Sequence, residues 1–277
     1  MNRAARPLER APRPPVVLVV PAFLALLFVA LPLAGLLTRT PWPALGRLLT
    51  RPDVLSALWL SVECSFGALV LSAVLGVPLA FLLARTRFPG KALVRALVTL
   101  PLVLPPVAGG VALLLAFGRR GVAGGVLDAL GVQLPFTTAG AIVAEAFVAL
   151  PFLVLSVEGA LGGLDARHEE VAATLGARPL RVFVTVTLPL VAPGLAAGAA
   201  LAWARALGEF GATITFAGNL PGSTQTLPLA VYVLLQDDPA ASIALSLLLL
   251  AVSVAVLLLL RGSWLTPGSR RHRTVSR

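Results

Sequence analysis

Long apolar blocks alternate with short polar segments along the chain. A helix must offer about 20 consecutive apolar residues to cross the hydrocarbon core of a bilayer. The blocks of suitable length predict six membrane-crossing helices, at residues 16–37, 56–84, 96–117, 137–161, 193–214 and 242–260. The predicted fold is therefore all-α and integral to a membrane, with basic tails at 1–15 and 261–277.

The first and fifth predicted helices lie in apolar blocks whose interpretation is less direct. The block 16–37 follows a basic stretch, as the core of a signal peptide would, but it is longer than a usual signal core and no convincing cleavage site follows. We interpret it as a retained helix. The apolar stretch 182–218 is too long for one crossing, and Pro189 and Pro193 predict a break with an interfacial segment before the fifth helix.

The third block carries several helix breakers. They are Pro101, Pro105, Pro106, Gly109 and Gly110. Backbone groups freed by such residues are tolerated at membrane depth where protein or water satisfies them. This helix is therefore predicted to face the interior of the bundle or a pathway.

The net charge of +10 is explained by where the charges lie. With a cytoplasmic N-terminus, 16 Lys and Arg residues fall in inside segments and five in outside segments, while Arg205 lies within a helix. Positive residues concentrate on the cytoplasmic side of membrane proteins. The bias predicts six crossings with the N and C termini both cytoplasmic, and it requires no nucleic-acid partner.

The sequence offers few residues for chemistry. Cys64 is the single cysteine, and its apolar surroundings predict a small buried hydrophobe. His168 and His272 lie far apart in polar segments, so no metal site, cofactor or catalytic residue is predicted. The phosphate-binding pattern GxxxxGKS/T is absent from the sequence, so an ATP site of that kind must belong to another chain.

The longest polar insertion, 162–190, has the marks of two short helices. Asp165 is positioned to cap the first helix, and two acidic residues follow in its first turns, where the helix dipole favours them. Gly176 suits a C-terminal stop, and Pro179 suits the first turn of a second helix. The insertion is predicted to be helix, glycine turn and helix, lying along the cytoplasmic membrane surface.

This loop resembles the signature of binding-protein-dependent ABC importer permeases. The signature is a Glu-Ala-Ala element, a Gly six residues after the Glu, and an Ile-x-Leu-Pro element. The chain has Glu170-Val171-Ala172, Gly176 and Val186-Thr187-Leu188-Pro189, with conservative departures at two valines. The resemblance covers the permease core at 54–260 and implies the type I ABC importer permease fold.

In that family the loop is a coupling helix that docks on the ATPase subunit. The residues that the resemblance assigns to this contact are Glu169, Glu170, Ala172, Ala173, Gly176, Ala177 and Pro189. The alternative is an ordinary amphipathic surface helix, which the spacing of the motif disfavours. The resemblance also implies a homodimer in the inner (plasma) membrane, two copies of an ABC ATPase subunit, and a periplasmic or lipid-anchored binding protein.

The segment 202–232 resembles the molybdate or tungstate permeases of the family. Its runs ALGEFGATITFAGN and TQTLPLA carry this resemblance. The implied function is import of molybdate or tungstate, with sulfate or thiosulfate as the alternative substrate. An ion-driven secondary transporter is a rival from another class, and no constellation of His, Asp or Ser residues supports a membrane-embedded enzyme.

Polar residues in and after the fifth helix are the candidates for the translocation pathway. Arg205 and Glu209 are four residues apart and share a helix face. Because charges within a crossing rarely face lipid, the pair either lines or gates the pathway or is neutralised inside the bundle. Thr213, Thr215 and Asn219 either offer hydrogen bonds to an oxyanion or form a polar rim at the outer surface.

Three acids lie within other predicted helices. Glu63, Glu145 and Glu158 are not clustered in the sequence, and Glu158 is near the cytoplasmic end of its helix. We interpret all three as packing or interface acids.

Overall fold

The computed structural model describes residues 16–264, and within this range all regular secondary structure is helical. The helices are α1 Val16–Arg39, α2 Leu45–Leu49, α3 Pro52–Arg85, α4 Lys91–Val103, α5 Pro106–Phe117, α6 Gly124–Ala129, α7 Thr138–Gly162, α8 Arg167–Thr174, α9 Pro179–Val182, α10 Leu188–Leu207, α11 Gly211–Phe216, α12 Leu227–Asp237 and α13 Pro239–Trp264. A 3-10 turn spans Trp42–Ala44, and a π-helical turn spans Phe183–Thr187. The all-α prediction is confirmed. The tail predicted at 1–15, and all but the first four residues of the tail at 261–277, lie outside the described residues.

Within residues 16–264, five helical segments are long and apolar enough to cross a membrane. They are Val17–Arg39, Pro52–Arg85, Thr138–Gly162, Pro179–Leu207 and Pro239–Val256. The integral-membrane character predicted from the hydrophobic pattern is therefore present in the structure.

The third predicted helix, 96–117, is divided in two. Leu104 and Pro105 are extended between α4 and α5, so neither half is long enough to cross alone. The cause is the consecutive prolines, because a residue that precedes proline is disfavoured in the α conformation. Pro106 then begins α5, a position that needs no backbone N–H.

The fifth helix has different limits from those predicted, 193–214. The helical path begins at Pro179, passes through the π-helical turn and Pro193, and ends at Leu207. Proline is tolerated within membrane helices because neighbouring groups satisfy the freed carbonyl. The break falls instead at residues 208–210, and α11 follows as a separate short helix.

Helix α7 lies at the centre of the bundle. It packs against α3 and α10, and its side chains Leu153, Val154 and Val157 are almost completely buried. In contrast, the described side chains of α1 are almost all exposed. The bundle core therefore consists of α3, α7 and α10.

Two glycines bring α10 close to α7. A Cβ atom added at Gly194 would lie 2.5 Å from Ala160 Cβ, and one added at Gly198 would lie 2.6 Å from Ser156 Cβ. Small residues four apart are a common device for close packing of membrane helices. The α7–α10 distance is therefore set by these small residues.

A network of ion pairs connects the start of α3 with the turn between α12 and α13. Arg51, just before α3, contacts Asp53 at 2.9 Å and Asp238, between α12 and α13, at 2.7 Å. The hydrogen bond and charge of Asp53, followed by those of Asp238, raise the pKa of the Arg51 guanidinium above its ordinary value. This contact fixes the turn before α13 to the start of α3.

Candidate functional site

The loop at 162–190 has the predicted helix, glycine turn and helix. Asp165 Oδ1 accepts a hydrogen bond from the Arg167 backbone N–H at 3.0 Å, at the start of α8. Gly176 has φ +84°, a left-handed conformation that suits glycine and that ends the helix. Pro179 begins α9. The N-cap of α8 is Ala166, which makes no side-chain capping hydrogen bond, so the cap predicted at Asp165 lies one residue too early. The glycine turn and the start of the second helix lie where they were predicted.

The loop exposes an apolar surface between charged residues. Val171, Leu175 and Leu180 are 59%, 83% and 75% exposed. Glu170 and Ala173 are also exposed, whereas Ala172 and Ala177 are half-buried. Exposed apolar residues clustered in a polar segment are typical of a surface that docks another protein. We name the three apolar residues with Glu170 and Ala173 the α8–α9 surface.

Glu169 is directed differently from its neighbour Glu170. Its carboxylate lies 3.1 Å from Arg85 Nε, on α3, and accepts a hydrogen bond from Thr187 Oγ1 at 2.9 Å. Pro189 lies in the first turn of α10 and is exposed. The predicted coupling residues are therefore divided between the α8–α9 surface and contacts within the protein.

The two interrupted helices meet at an open cleft. The cleft is lined by Pro106 and Val107 at the start of α5, and by Arg205, Gly208, Glu209, Phe210 and Gly211 at the α10–α11 break. Helices α5 and α11 pack so closely that a Cβ atom at Gly110 would lie 2.6 Å from Thr215 Cβ. A Cβ atom at Gly211 would lie 2.8 Å from Pro106 Cβ. Both breaks in helical structure are thus brought to one place.

Arg205 and Glu209 form an ion pair beside this cleft. Arg205 Nη2 lies 2.5 Å from Glu209 Oε2, although the angles are not those of a hydrogen bond. The other carboxylate oxygen of Glu209 accepts from the Ala212 backbone N–H at 2.9 Å. The Glu209 side chain is 1% exposed and that of Arg205 is 29% exposed. The two charges are therefore paired, and both residues line the cleft. A role in the pathway and neutralisation inside the bundle both stay predictions.

The other predicted pathway residues do not line the cleft. Thr215 Oγ1 donates to the Gly211 carbonyl at 2.8 Å. Thr213 Oγ1 and Asn219 Oδ1 are buried and have no hydrogen-bond partner among residues 16–264. These three residues lie on or just after α11, and in the described part of the chain none of them forms a hydrogen bond with Arg205.

The three acids that were interpreted as packing or interface residues lie in different surroundings. Glu158 pairs with Arg95 on α4, so it is a packing acid. Glu145 on α7 is 1% exposed, and its Oε2 has no hydrogen-bond partner in the described part of the chain. Glu63 on α3 is exposed.

The sequence did not reveal that Arg85 and Thr187 are the partners of Glu169, because they are 84 and 18 residues away.

The fold is shared with solved membrane transporters. A bacterial alginate ABC transporter, solved in complex with an alginate-bound periplasmic protein, contains a chain that matches with a TM-score of 0.71. The match covers 89% of this chain and 92% of that chain, at 16% sequence identity. At this identity the similarity establishes the fold alone.

Relatives at higher identity are permeases. The Molybdenum transport system permease protein ModB of Mycobacterium bovis is 51% identical over 239 residues, covering 86% of this chain and 90% of the relative. The Sulfate transport system permease protein CysT of Salmonella typhimurium is 39% identical over 236 residues, covering 83% of this chain and 85% of the relative.

The family model described as "Binding-protein-dependent transport system inner membrane component" matches residues 76–265. This range includes the loop at 162–190, the cleft and the C-terminal end of α3. With the fold and the permease relatives, the match shows that the chain belongs to the family of inner-membrane permease components of binding-protein-dependent transport systems.

Proposed function

We propose that this chain is the membrane-spanning subunit of an ATP-driven importer that carries molybdate or tungstate across the inner membrane. The observation that carries the proposal is 51% identity to a molybdenum transport permease along most of both chains. The chain itself is the translocation subunit, and ATP hydrolysis belongs to a separate partner.

The proposed topology has six crossings with both termini in the cytoplasm. Five long helices account for five crossings, and α4 and α5 together form the sixth. The excess of Lys and Arg in the inside segments supports this orientation. In this arrangement α8 and α9 lie at the cytoplasmic surface.

The proposed assembly contains two copies of this chain, two ATPase subunits and one external binding protein. Each ATPase docks on an α8–α9 surface through Glu170, the exposed apolar residues and the adjacent loop. The exposure of Glu63 is an argument for a second copy of the chain. Glu63 is exposed on α3 beside Trp59 and Phe66, and a carboxylate at membrane depth rarely faces lipid. Another protein surface over this face removes that cost.

The cleft at the α5 and α10–α11 breaks is the proposed passage for the oxyanion. Irregular backbone at membrane depth is tolerated where it lines a cavity. Arg205 attracts a tetrahedral dianion, and Glu209 limits this attraction, so the anion is not held tightly enough to block release. Thr213, Thr215 and Asn219 provide neutral hydrogen-bonding groups if the helices separate during transport.

The test is uptake by proteoliposomes that contain the purified complex with its ATPase and binding protein. Labelled molybdate should accumulate with ATP and not without it. Uptake driven by an ion gradient in vesicles that lack the ATPase would contradict the proposal and favour a secondary transporter.

Sulfate or thiosulfate is the second candidate substrate, because a sulfate permease is 39% identical over 83% of the chain. In the same vesicles, a large excess of sulfate should leave most molybdate uptake intact. Equal competition by the two anions would favour the sulfate assignment.

A further inference from the structure

The Glu169 carboxylate faces its own subunit. Arg85 Nε lies 3.1 Å from Oε2 and 3.3 Å from Oε1, and Thr187 Oγ1 donates to Oε1 at 2.9 Å. The side chains of Arg85 and Glu169 are 18% and 19% exposed, and Thr187 is buried. Most of this contact is therefore shielded from solvent. Charged hydrogen bonds are stronger in such a shielded position than on an open surface.

The three residues come from three different elements. Arg85 is the last residue of α3, Glu169 is in the first turn of α8, and Thr187 ends the π-helical turn that leads into α10. Arg85 also donates to the Leu164 carbonyl at 3.4 Å, in the segment between α7 and α8. The contact thus connects the coupling helix with both of the long helices that pack on α7.

An aromatic pair strengthens the same junction. The rings of Phe81 on α3 and Phe183 in the π-helical turn are 5.1 Å apart and nearly perpendicular. Both rings line the groove beside Glu169. The apolar contact holds α3 against the turn, while Glu169 attaches α8 to both.

We propose that Glu169 is a positioning residue that transmits the movement of α8 to α3 and α10, rather than a residue that touches the ATPase. The inference rests on the proposed function. Without the Glu169 contacts, α8 remains joined to α10 only through the Gly176 turn and α9, and to α3 only through the hydrogen bond between Arg85 and the Leu164 carbonyl. A larger share of ATP hydrolysis then fails to move the helices beside the pathway.

The experiment compares neighbouring acids in the reconstituted complex. Glu169→Gln removes the charge that Arg85 contacts but keeps an amide oxygen for Thr187. The attached position of α8 should become about tenfold less populated relative to the detached one, the change expected from losing one charged hydrogen bond. The number of ATP molecules hydrolysed per molybdate imported should therefore rise. Glu170→Gln, on the exposed face of the same turn, should instead reduce the amount of ATPase that copurifies.

A second pair of variants tests the Thr187 contact. Thr187→Val keeps the shape of the side chain and removes the donor, so the ATP cost per molybdate should rise. Thr185→Val makes the same chemical change in the same turn, where the hydroxyl donates to the Arg181 carbonyl and is exposed. Its ATP cost should match that of the unmodified protein.

The charge swap Arg85→Glu with Glu169→Arg provides the rescue. It should lower the ATP cost below that of Glu169→Gln because an ion pair is restored. Loss of ATPase binding by Glu169→Gln in proportion to the loss of transport would overturn the inference. An unchanged ATP cost in Glu169→Gln would overturn it as well.

A deletion variant distinguishes failure of this inference from failure of the proposed function. Removal of residues 166–180 should abolish ATPase binding and stimulated hydrolysis while the protein still inserts. If that deletion leaves coupling complete, the docking proposal itself is wrong. If the deletion has its expected effect and Glu169→Gln behaves as the unmodified protein, the positioning role alone is wrong.

Discussion

Glu209 shows how single residues make charge tolerable inside this bundle. Its carboxylate is almost completely buried, and it is compensated by Arg205 and by one backbone N–H of α11. Removing only the counter-ion of a buried carboxylate lowers the free energy of unfolding far more than replacing both charged residues with apolar ones. The two residues therefore depend on each other for stability.

We expect Arg205→Met to lower the free energy of unfolding by about 3–5 kcal/mol, because it leaves the Glu209 charge unpaired. The double variant Arg205→Met with Glu209→Met should regain most of this loss. Thermal unfolding of the detergent-solubilised protein measures both. If the double variant is no more stable than Arg205→Met, the charge of Glu209 is not what the arginine compensates.

The Gly176 turn makes a second prediction for a single residue. Gly176→Ala should strain the loop by about 1–2 kcal/mol, because an L side chain disfavours the left-handed conformation. The amount of ATPase that copurifies should fall. Gly163→Ala is the matched control: this residue is right-handed with φ −81°, and its added Cβ meets atoms no closer than 3.7 Å. Equal effects of the two substitutions would contradict the conformational explanation.

Local sequence predicted the loop well because Asp165, Gly176 and Pro179 act on their immediate neighbours. Glu169 and Glu170 are adjacent acids with the same local context, and no local rule separates them. Their different roles depend on Arg85, which is 84 residues away in the sequence. The division between an exposed and an internal acid therefore required the folded chain.

At the scale of helices, small residues allow a close contact between α7 and α10 in the core. Gly198→Ala should destabilise the protein by about 1–3 kcal/mol, because the new methyl group would overlap Ser156. Ser156→Gly in the same chain should restore stability. Gly159→Ala, on α7 where an added Cβ meets nothing within 4 Å, is the control. Thermal unfolding in detergent compares all four proteins, and an unrescued double variant would argue against a steric cause.

The helix breaks were predictable to different degrees. Pro105 and Pro106 were recognised as helix breakers, but the helix was predicted to be continuous over 96–117. The break between α4 and α5 occurs because proline disfavours the α conformation of the residue before it. The α10–α11 break lies beyond Pro193, at Gly208, and the Glu209 carboxylate accepts a hydrogen bond from the Ala212 backbone N–H in the first turn of α11. Hydrophobicity continues through this segment, so the pattern alone extended the helix to residue 214.

At the scale of the whole molecule, the proposed orientation can be measured with single cysteines. In a Cys64→Ala background, Val122→Cys should react with a membrane-impermeant maleimide in intact cells, because Val122 is 97% exposed on the proposed outer side. Leu175→Cys, at 83% exposure on the α8–α9 surface, should react in inside-out vesicles when the ATPase is absent. The reverse pattern would contradict the orientation.

The π-helical turn at Phe183–Thr187 holds one more residue per hydrogen-bonded ring than an α-helical turn. The residues before it therefore follow a different helical register from those after it. Each α-helical residue advances the direction of the side chain by about 100°. Deleting Val184 would convert the turn to a regular helix and rotate Leu180 by about that angle relative to α10. The extra residue thus sets the direction in which the N-terminal end of this long helix, at α9, presents its side chains.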